Sequence, residues 1–327
     1  MPKFYFTFSE YEPFPYQNGW VEVEAATWSA AIATFNAKYP NRRNENVVNC
    51  SGMYDEKEFN ATDMAKYGNY GAYCHETLIA DNSKTGIFVF DDLALEITRK
   101  CNMKCNHCLR GDAENINMTM KTIEPLLSRT MQINTLIFTG GEPTLNIPLM
   151  KKILNYCKIH TIPVLNIYIV TNGKVVSDNF LRTMIDWYAY CIESNDGGMP
   201  DISGLSLSKD IYHEYIPEEN INKLKTFALF DESHYRDFNK YPVLDRGRGA
   251  NIANNINKDI ITSFSVLPND DGSIQIDNDT YVSAKGDILA DCDLSYDTMP
   301  NYTLGNTKNI DEFIKYLRTL ITKECQI

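Results

Sequence analysis

The sequence predicts an α/β fold built on a parallel sheet, and two observations support this prediction. From Gly86 onward, short apolar stretches alternate with longer amphipathic segments, and glycine-rich or polar motifs stand where the apolar stretches end. Repeated strand–helix units of this length form parallel sheets with right-handed crossovers. The carboxyl ends of such strands meet at one face, so we expect the motifs to lie close together.

Length, composition and charge limit the class of protein. The chain has 327 residues, of which 43% are hydrophobic and 23% charged, as in ordinary globular proteins. A formal charge of −12 disfavours a basic surface that could bind the phosphate backbone of a nucleic acid, so no nucleic-acid partner is expected. No apolar run reaches about 18 residues, so no membrane partner is expected either. Nine cysteines without a secretory signal favour a reducing compartment, and the predicted location is cytoplasmic.

Residues 1–86 are predicted to form a separate small α+β domain. Its predicted elements are strands at Lys3–Ser9, Gly19–Ala25 and Asn46–Tyr54 and a helix from Trp28 to about Lys38, capped by Thr27. Cys74-His75-Glu76 is interpreted as a loop rather than a metal site, because no partner cysteine stands nearby. The stretch from Tyr67 to Tyr73 contains two glycines and predicts a linker.

Residues 87–267 carry the strand–helix alternation of the main domain. The predicted strands are 93–98, 134–139, 164–170 and 204–208, with less regular candidates at 241–245 and 261–266. The predicted helices are 119–131, 146–160, 178–188 and 217–230. Each helical segment follows a strand at the spacing of a βαβ crossover, and this spacing is the basis for the parallel sheet.

Residues 268–327 are predicted to form a C-terminal extension, because the apolar period returns to two after Leu267. Short strands are predicted at 273–277, 280–284 and 287–291, with Lys285-Gly286 as a hairpin turn. A closing helix from about Ile310 to Lys323 places Phe313, Leu317 and Leu320 on one apolar face.

Cys101, Cys105 and Cys108 follow the first strand of the main domain and are the strongest chemical signal in the chain. Three thiols within eight residues suit a soft metal or an iron–sulfur cluster. A structural zinc site normally has four protein ligands, and the nearest candidate, His107, is adjacent to Cys108. The spacing therefore favours a cluster with one open position, against the alternatives of a zinc site or unrelated buried thiols.

These residues resemble the radical S-adenosylmethionine (radical SAM) superfamily. Cys101-x3-Cys105-x2-Cys108 and, after the second strand, Gly140-Gly141-Glu142-Pro143 match its motifs in order, and the resemblance runs from about Phe88 to the C-terminus. It implies a partial (βα)6 TIM-type barrel. It also implies one 4Fe-4S cluster held by the three cysteines and chelated by S-adenosylmethionine. Reductive cleavage of that cofactor then gives a 5′-deoxyadenosyl radical that abstracts hydrogen from a substrate.

The resemblance also implies a set of cofactor contacts at the ends of the strands. These are Gly140, Gly141, Glu142 and Pro143 for the methionine ammonium, Thr171 and Asn172 for the ribose or sulfonium, Ser206 and Ser208 for the ribose hydroxyls or carboxylate, His107 for the adenine, and Arg248 for the cofactor carboxylate. Several of these contacts have a competing interpretation. Gly140–Pro143 could be an ordinary helix-entry turn, Ser206 and Ser208 ordinary polar strand residues, His107 a structural histidine and Arg248 a solvated arginine.

The segments Tyr281–Asp293 and Leu304–Asn306 resemble the hairpin end of SPASM and twitch extensions. Only Cys292 and Cys325 remain there, too few for the auxiliary cluster that such extensions usually hold, so a degenerate cap is expected. The resemblance offers Cys292 as a hydrogen donor to a substrate radical, against the alternative of a simple buried thiol.

The predicted function is that of a radical SAM enzyme acting on a peptide or protein, with residues 1–86 as a substrate or partner adaptor. A flavodoxin- or ferredoxin-type protein is the expected electron donor. One alternative is radical modification of a nucleotide or other small metabolite. Another, from a different class, is a non-catalytic iron–sulfur or zinc binding protein.

Overall fold

The computed structural model describes residues 2–25, 28–43, 47–64, 73–80, 86–201, 204–231, 243–269 and 272–324. The chain divides into two compact units, residues 1–87 with 269–273, and residues 88–268 with 274–327. Across the described ranges, every helix is too short or too polar to cross a lipid bilayer.

The N-terminal unit contains a four-stranded sheet with strand order β3-β1-β2-β4. Its elements are β1 (Lys3–Phe8), β2 (Gly19–Glu24), α1 (Trp28–Lys38), β3 (Gly52–Asp55), α2 (Glu56–Asn60) and β4 (Cys74–Ile79). Alternate side chains of β1 and β2 are buried with α1, where Phe6 stacks on Phe35 with ring centroids 4.3 Å apart. The first two predicted strands and the helix are confirmed, whereas Thr27 and residues 67–72 of the predicted linker lie outside the described residues.

Two predictions for this unit are wrong. The third strand begins at Gly52 rather than Asn46. The Ser51 N–H and hydroxyl both donate to the Thr7 carbonyl, and the chain pairs with β1 only after this point. Cys74-His75-Glu76 opens the strand β4 instead of forming a loop, and β4 pairs parallel with β2. His75 stacks on Tyr16 at 4.1 Å, so the ring serves packing.

The larger unit is organised around the strand β5. Its strands are β5 (Phe88–Thr98), β6 (Thr130–Gly140), β7 (Val164–Thr171), β8 (Gly204–Leu207), β9 (Val266–Pro268), β10 (Ile274–Ile276), β11 (Thr280–Val282), β12 (Asp287–Leu289) and β13 (Gly305–Asn306). Strands β5 to β8 are parallel neighbours, and β5 also pairs parallel with β10 and β11 on its other edge. The predicted α/β fold with a parallel sheet is confirmed.

The helices of this unit lie at the predicted places, with some shifted ends. They are α3 (Met120–Leu127), α4 (Ile147–Ile159), α5 (Asp178–Ser194), α6 (Glu218–Lys225) and α7 (Ile310–Glu324). Helix α3 ends before the predicted Met131 because β6 already begins at Thr130, opposite Phe88. Helix α6 ends before the predicted Phe230, which instead forms a parallel bridge with Leu205 beside β8.

The later barrel strands are shorter than predicted. Leu244, in the predicted fifth strand, makes a single parallel bridge with Ile256, while residues 241–242 lie outside the described part. The predicted sixth strand at 261–266 is wrong: the strand begins at Val266 and pairs antiparallel with β10. The three predicted C-terminal strands are present: β10 and β11 each pair with β5, and β12 joins the sheet through β11.

Candidate active site

The cysteine loop begins just beyond β5 and borders a cavity of about 460 Å³ at the carboxyl ends of the parallel strands. Cys101, Cys105 and Cys108 all line this cavity. Predicted cofactor residues on its wall are His107, Gly140, Gly141, Glu142, Asn172, Ser208 and Arg248. The fold therefore brings the three cysteines together with motifs from β6, β7 and β8.

The three thiols do not all lie within 4.8 Å of one another, since no such group of metal-ligand atoms includes them. Thiolates on a single tetrahedral zinc would be about 3.8 Å apart, given a Zn–S distance of about 2.3 Å. Burial raises the pKa of both Cys101 and Cys105, while backbone N–H groups act in the opposite direction. This arrangement suits a group larger than one ion, which bridges separated thiolates.

Gly140 and Gly141 are required by a close crossing of two backbones. A Cβ on Gly140 would lie 2.1 Å from the Thr98 carbonyl oxygen, and one on Gly141 would lie 2.3 Å from that of Lys100. The Gly141 and Glu142 N–H groups donate to these same carbonyls at 2.8 Å. The glycines thus fix the end of β6 against the start of the cysteine loop.

Glu142 is almost completely buried, at 1% exposure, and is held by four hydrogen bonds. Its Oε1 accepts from the Thr144 N–H and hydroxyl and from the Thr171 hydroxyl, and its Oε2 accepts from the Asn172 N–H at 2.8 Å. Burial raises the pKa of Glu142, and the hydrogen bonds oppose that rise. Among the described residues Oε2 has a single donor, which leaves it capacity to accept from an ammonium group.

The structure adds residues beside Cys101 that sequence reasoning missed. The Asn172 side chain donates to the Asn102 side-chain oxygen at 2.8 Å, and Lys174 Nζ donates to the Asn102 carbonyl at 2.8 Å. Glu214 joins this set by accepting from the Lys104 N–H at 2.8 Å and from Lys174 at 2.6 Å. Lys174 could have been predicted, because Asn172-Gly173-Lys174 directly follows a strand. No sequence pattern indicated Glu214.

His107 belongs to a hydrogen-bonded chain at the end of β8. Its Nε2 lies 3.1 Å from Asp210 Oδ2, the other Asp210 oxygen lies 2.8 Å from His213 Nδ1, and His213 Nε2 lies 3.1 Å from Ser208 Oγ. Burial acts to raise the pKa of Asp210, but His213, the Tyr212 N–H and His107 hold it below its ordinary value. The chain orients the residue that precedes the third cysteine, and Asp210 and His213 were not predicted.

Three of the predicted cofactor residues do not line the cavity. Ser206, predicted to share a face with Ser208, is fully buried and donates to the Asp231 carbonyl at 3.0 Å, because β8 ends between the two serines. Thr171 is fully buried and acts through Glu142, to which its hydroxyl donates at 2.8 Å. Pro143 starts the short 3-10 helix Pro143–Asn146 that precedes α4.

Arg248 lines the cavity and holds the cysteine loop. Its backbone N–H donates to the Cys108 carbonyl and its Nε donates to the Cys105 carbonyl, both at 2.9 Å. Its Nη1 lies 2.8 Å from exposed Asp112. Gly247, at φ +54°, lets the chain pass Leu109, because a Cβ there would lie 2.4 Å from the Leu109 carbonyl oxygen.

Residues near or within the C-terminal extension also line the cavity. They are Lys258, Asp293 and Tyr296, and Lys258 Nζ lies 2.6 Å from Asp293 Oδ2. Glu96 accepts from the Tyr281 hydroxyl at 2.8 Å and from Arg99 Nε at 2.9 Å. Cys292 is half-buried and is not among the cavity-lining residues.

Comparison with known proteins relates the segment that contains this site to one superfamily. Residues 95–195 match the model of the Radical SAM superfamily. This segment belongs to that superfamily. It contains the cysteine loop and Gly140-Gly141-Glu142-Pro143. Radical SAM proteins use a 4Fe-4S cluster and S-adenosylmethionine, so both cofactor predictions are confirmed at the level of the family.

Individual relatives are more distant. An uncharacterized protein of Methanocaldococcus jannaschii is 37% identical over 68 residues, which cover 20% of this chain and 24% of that protein. Structural similarity extends to anSMEcpe with bound AdoMet, at 13% identity and a TM-score of 0.43, over 70% of this chain and 80% of that one. It also extends to Streptococcus suis SuiB bound to precursor peptide SuiA, at 14% identity and a TM-score of 0.34, over 72% and 65% of the two chains.

Proposed function

We propose that this chain is a radical SAM enzyme that modifies a peptide or protein. The observation that supports this most is that one cavity is lined by the three cysteines, by Glu142 and by residues near or within the C-terminal extension. Cys101, Cys105 and Cys108 are proposed to hold the 4Fe-4S cluster. The separated thiols fit a cluster and do not fit a preformed single-zinc site.

The remaining residues are proposed to bind and orient the cofactor. Glu142 Oε2 would accept from the ammonium of S-adenosylmethionine, and Asn172 and Ser208 would line its path across β7 and β8. When bound, the two cofactors together supply a 5′-deoxyadenosyl radical able to abstract substrate hydrogen. The protein's own part is to fix geometry and limit access of water, because Glu142 and the cysteine loop are already held by internal hydrogen bonds.

The C-terminal extension, residues 268–327, favours a peptide substrate. Tyr281–Asp293 is the stretch that resembles the SPASM and twitch hairpins, and its residue Asp293 reaches the cavity wall. We propose that residues 1–86 serve as an adaptor for the substrate or a partner, and that a flavodoxin- or ferredoxin-type protein supplies electrons.

The test begins with anaerobically reconstituted protein, dithionite and S-adenosylmethionine, with 5′-deoxyadenosine measured by mass spectrometry. The second stage adds candidate peptides encoded beside the gene, labelled with deuterium. Deuterium in the 5′-deoxyadenosine identifies a peptide whose hydrogen is abstracted. Transfer only from deuterated small metabolites would contradict the peptide assignment while leaving the radical chemistry intact.

A further inference from the structure

Arg110 is the cation on the cavity wall that lacks a carboxylate partner. Among the described residues, the other lining cations are paired: Arg99 with Glu96 and Glu114, Arg248 with Asp112, and Lys258 with Asp293. No described carboxylate oxygen lies within 4.0 Å of the Arg110 guanidinium. An arginine side chain stays charged, and one without a paired carboxylate keeps N–H groups that a bound anion can accept from.

The surroundings of Arg110 orient its guanidinium, and Glu96 favours its positive charge from beyond ion-pair distance without occupying its N–H groups. Nη1 donates to the Leu294 carbonyl at 2.5 Å, and the guanidinium carbon lies 4.6 Å from the centre of the Tyr281 ring. A backbone bond and a ring face fix the plane of the group. Most of its N–H groups therefore keep the capacity to donate in the fork geometry that matches a carboxylate.

Tyr296 provides a second, independent indication of a ligand. Tyr296 lines the cavity and is only 8% exposed, yet its buried hydroxyl has no hydrogen-bond partner among the described residues. The Tyr296 N–H donates to the Arg110 carbonyl at 3.1 Å, so the two residues are neighbours. A buried hydroxyl without a partner is unfavourable, because it has lost its hydrogen bonds to water. Such a cost is commonly recovered when a ligand accepts the bond.

We infer that Arg110 and Tyr296 form a subsite for a carboxylate of the substrate, such as an aspartate or glutamate side chain or a peptide C-terminus. The inference deepens the proposed function and rests on it. The contacts of Arg110 come from the C-terminal extension, at Tyr281, Leu294 and Tyr296. The proposed cofactor residues Glu142, Asn172 and Ser208 instead follow β6, β7 and β8. Because different elements surround Arg110 and the proposed cofactor residues, Arg110 is assigned to the substrate rather than to the cofactor carboxylate.

The charge of the cavity favours a carboxylate over a phosphate. Glu142, Asp210 and Asp293 also line it, and they would repel a dianionic group more strongly than a monoanionic one. A carboxylate satisfies the Arg110 fork and accepts from the Tyr296 hydroxyl while adding one negative charge.

The experiment uses the full chain, reconstituted and saturated with S-adenosylmethionine. Calorimetry compares two capped tripeptides, acetyl-Gly-Glu-Gly-amide and acetyl-Gly-Gln-Gly-amide, with inorganic phosphate as a third probe. The wild type should prefer the glutamate peptide. Arg110→Gln should raise the dissociation constant of the glutamate peptide about tenfold or more, because it removes a charge-assisted bidentate contact. Arg182→Gln, at an exposed position of α5, is the matched control and should leave binding unchanged.

Tyr296→Phe keeps the ring and removes a hydroxyl without an internal partner, so it should fold as well as the wild type. It should weaken binding of the glutamate peptide by roughly three- to tenfold, the effect expected for the loss of one hydrogen bond. No preference for glutamate over glutamine, or equal binding by all variants, would overturn the inference. Tighter binding of phosphate with the same dependence on Arg110 would overturn the carboxylate assignment.

Two further readouts separate this inference from other failures. If Arg110→Gln weakened the binding of S-adenosylmethionine tenfold or more, Arg110 would belong to the cofactor site and the inference would be wrong. Formation of 5′-deoxyadenosine by the same wild-type preparation reports on the proposed function by itself. Its presence without any effect of Arg110 or Tyr296 on peptide binding would reject the subsite alone.

Discussion

The Nε of Arg248 donates a hydrogen bond to the carbonyl oxygen of Cys105, 143 residues away in sequence, at 2.9 Å. The donor is charged and the acceptor belongs to the middle cysteine of the loop. A charge-assisted bond of this kind contributes about 1.5–3 kcal/mol. Arg248 thereby links the loop that is proposed to hold the cluster to a distant part of the barrel.

Replacing Arg248 with glutamine is expected to reduce retention of the cluster. The loss of the bond to Cys105 loosens the loop, although the backbone bond to Cys108 remains, so iron per chain after gel filtration should fall by half or more. Asp112→Asn is the matched control, because it removes only an exposed ion pair, which contributes little. Equal iron content in all three proteins would show that Arg248 does not hold the loop.

Gly140→Ala is expected to destabilise the protein strongly. The new Cβ would lie 2.1 Å from the Thr98 carbonyl oxygen at a backbone φ of +146°, so the crossing of β6 over the cysteine loop must open. Gly111→Ala serves as the control, since Gly111 has φ +89° and no atom within 4 Å of such a Cβ. Urea unfolding should show a loss of about 1–2 kcal/mol for Gly111→Ala, the cost of left-handed backbone alone. A loss for Gly140→Ala no larger than this would contradict the packing argument.

Glu142→Gln should lower stability even though it removes a buried negative charge. The glutamine amide would place N–H groups against the Asn172 N–H or the Thr171 and Thr144 donors, leaving at least one of them unpaired. The expected loss is about 1–3 kcal/mol in urea unfolding, with weaker binding of S-adenosylmethionine in the same variant. Glu219→Gln on α6, at an exposed position, should change neither quantity. An unchanged affinity for the cofactor would remove Glu142 from the proposed site.

Cys292 should remain a thiol across the usual range of pH. Burial, together with Asp293 and Asp279, raises the pKa of Cys292 to about 12. The reactive thiolate therefore stays a minor species at pH 7 to 9, and alkylation by iodoacetamide should be slow at this position. Exposed Cys74 is the internal comparison. Site-resolved mass spectrometry that finds Cys292 alkylated as fast as Cys74 at pH 8 would contradict the burial.

The sequence predicted the parts of the site that lie within single strand–loop segments. Cys101 to Cys108 and Gly140 to Glu142 were found because each follows an apolar run directly, and strand ends converge in a parallel sheet. Ser206 was misplaced since alternation alone does not say that β8 ends at Leu207, one residue before Ser208. β4 was missed because an exposed edge strand lacks the apolar alternation that signals a half-buried one.

The unpredicted residues depend on contacts across the chain. Arg110 meets Leu294 over 184 residues, and Glu214 meets Lys104 over 110. Neither pair lies within a motif or at a helical or strand spacing. Such partners become visible only when the fold brings the C-terminal extension and the loop after β8 to the same cavity.

Formation of 5′-deoxyadenosine tests the central claim most directly. The protein is reconstituted anaerobically to about four irons per chain, reduced, and given S-adenosylmethionine. The account predicts 5′-deoxyadenosine and methionine in the wild type and neither above background in Cys105→Ser. A wild-type protein that carries the full cluster and yields no 5′-deoxyadenosine would contradict it.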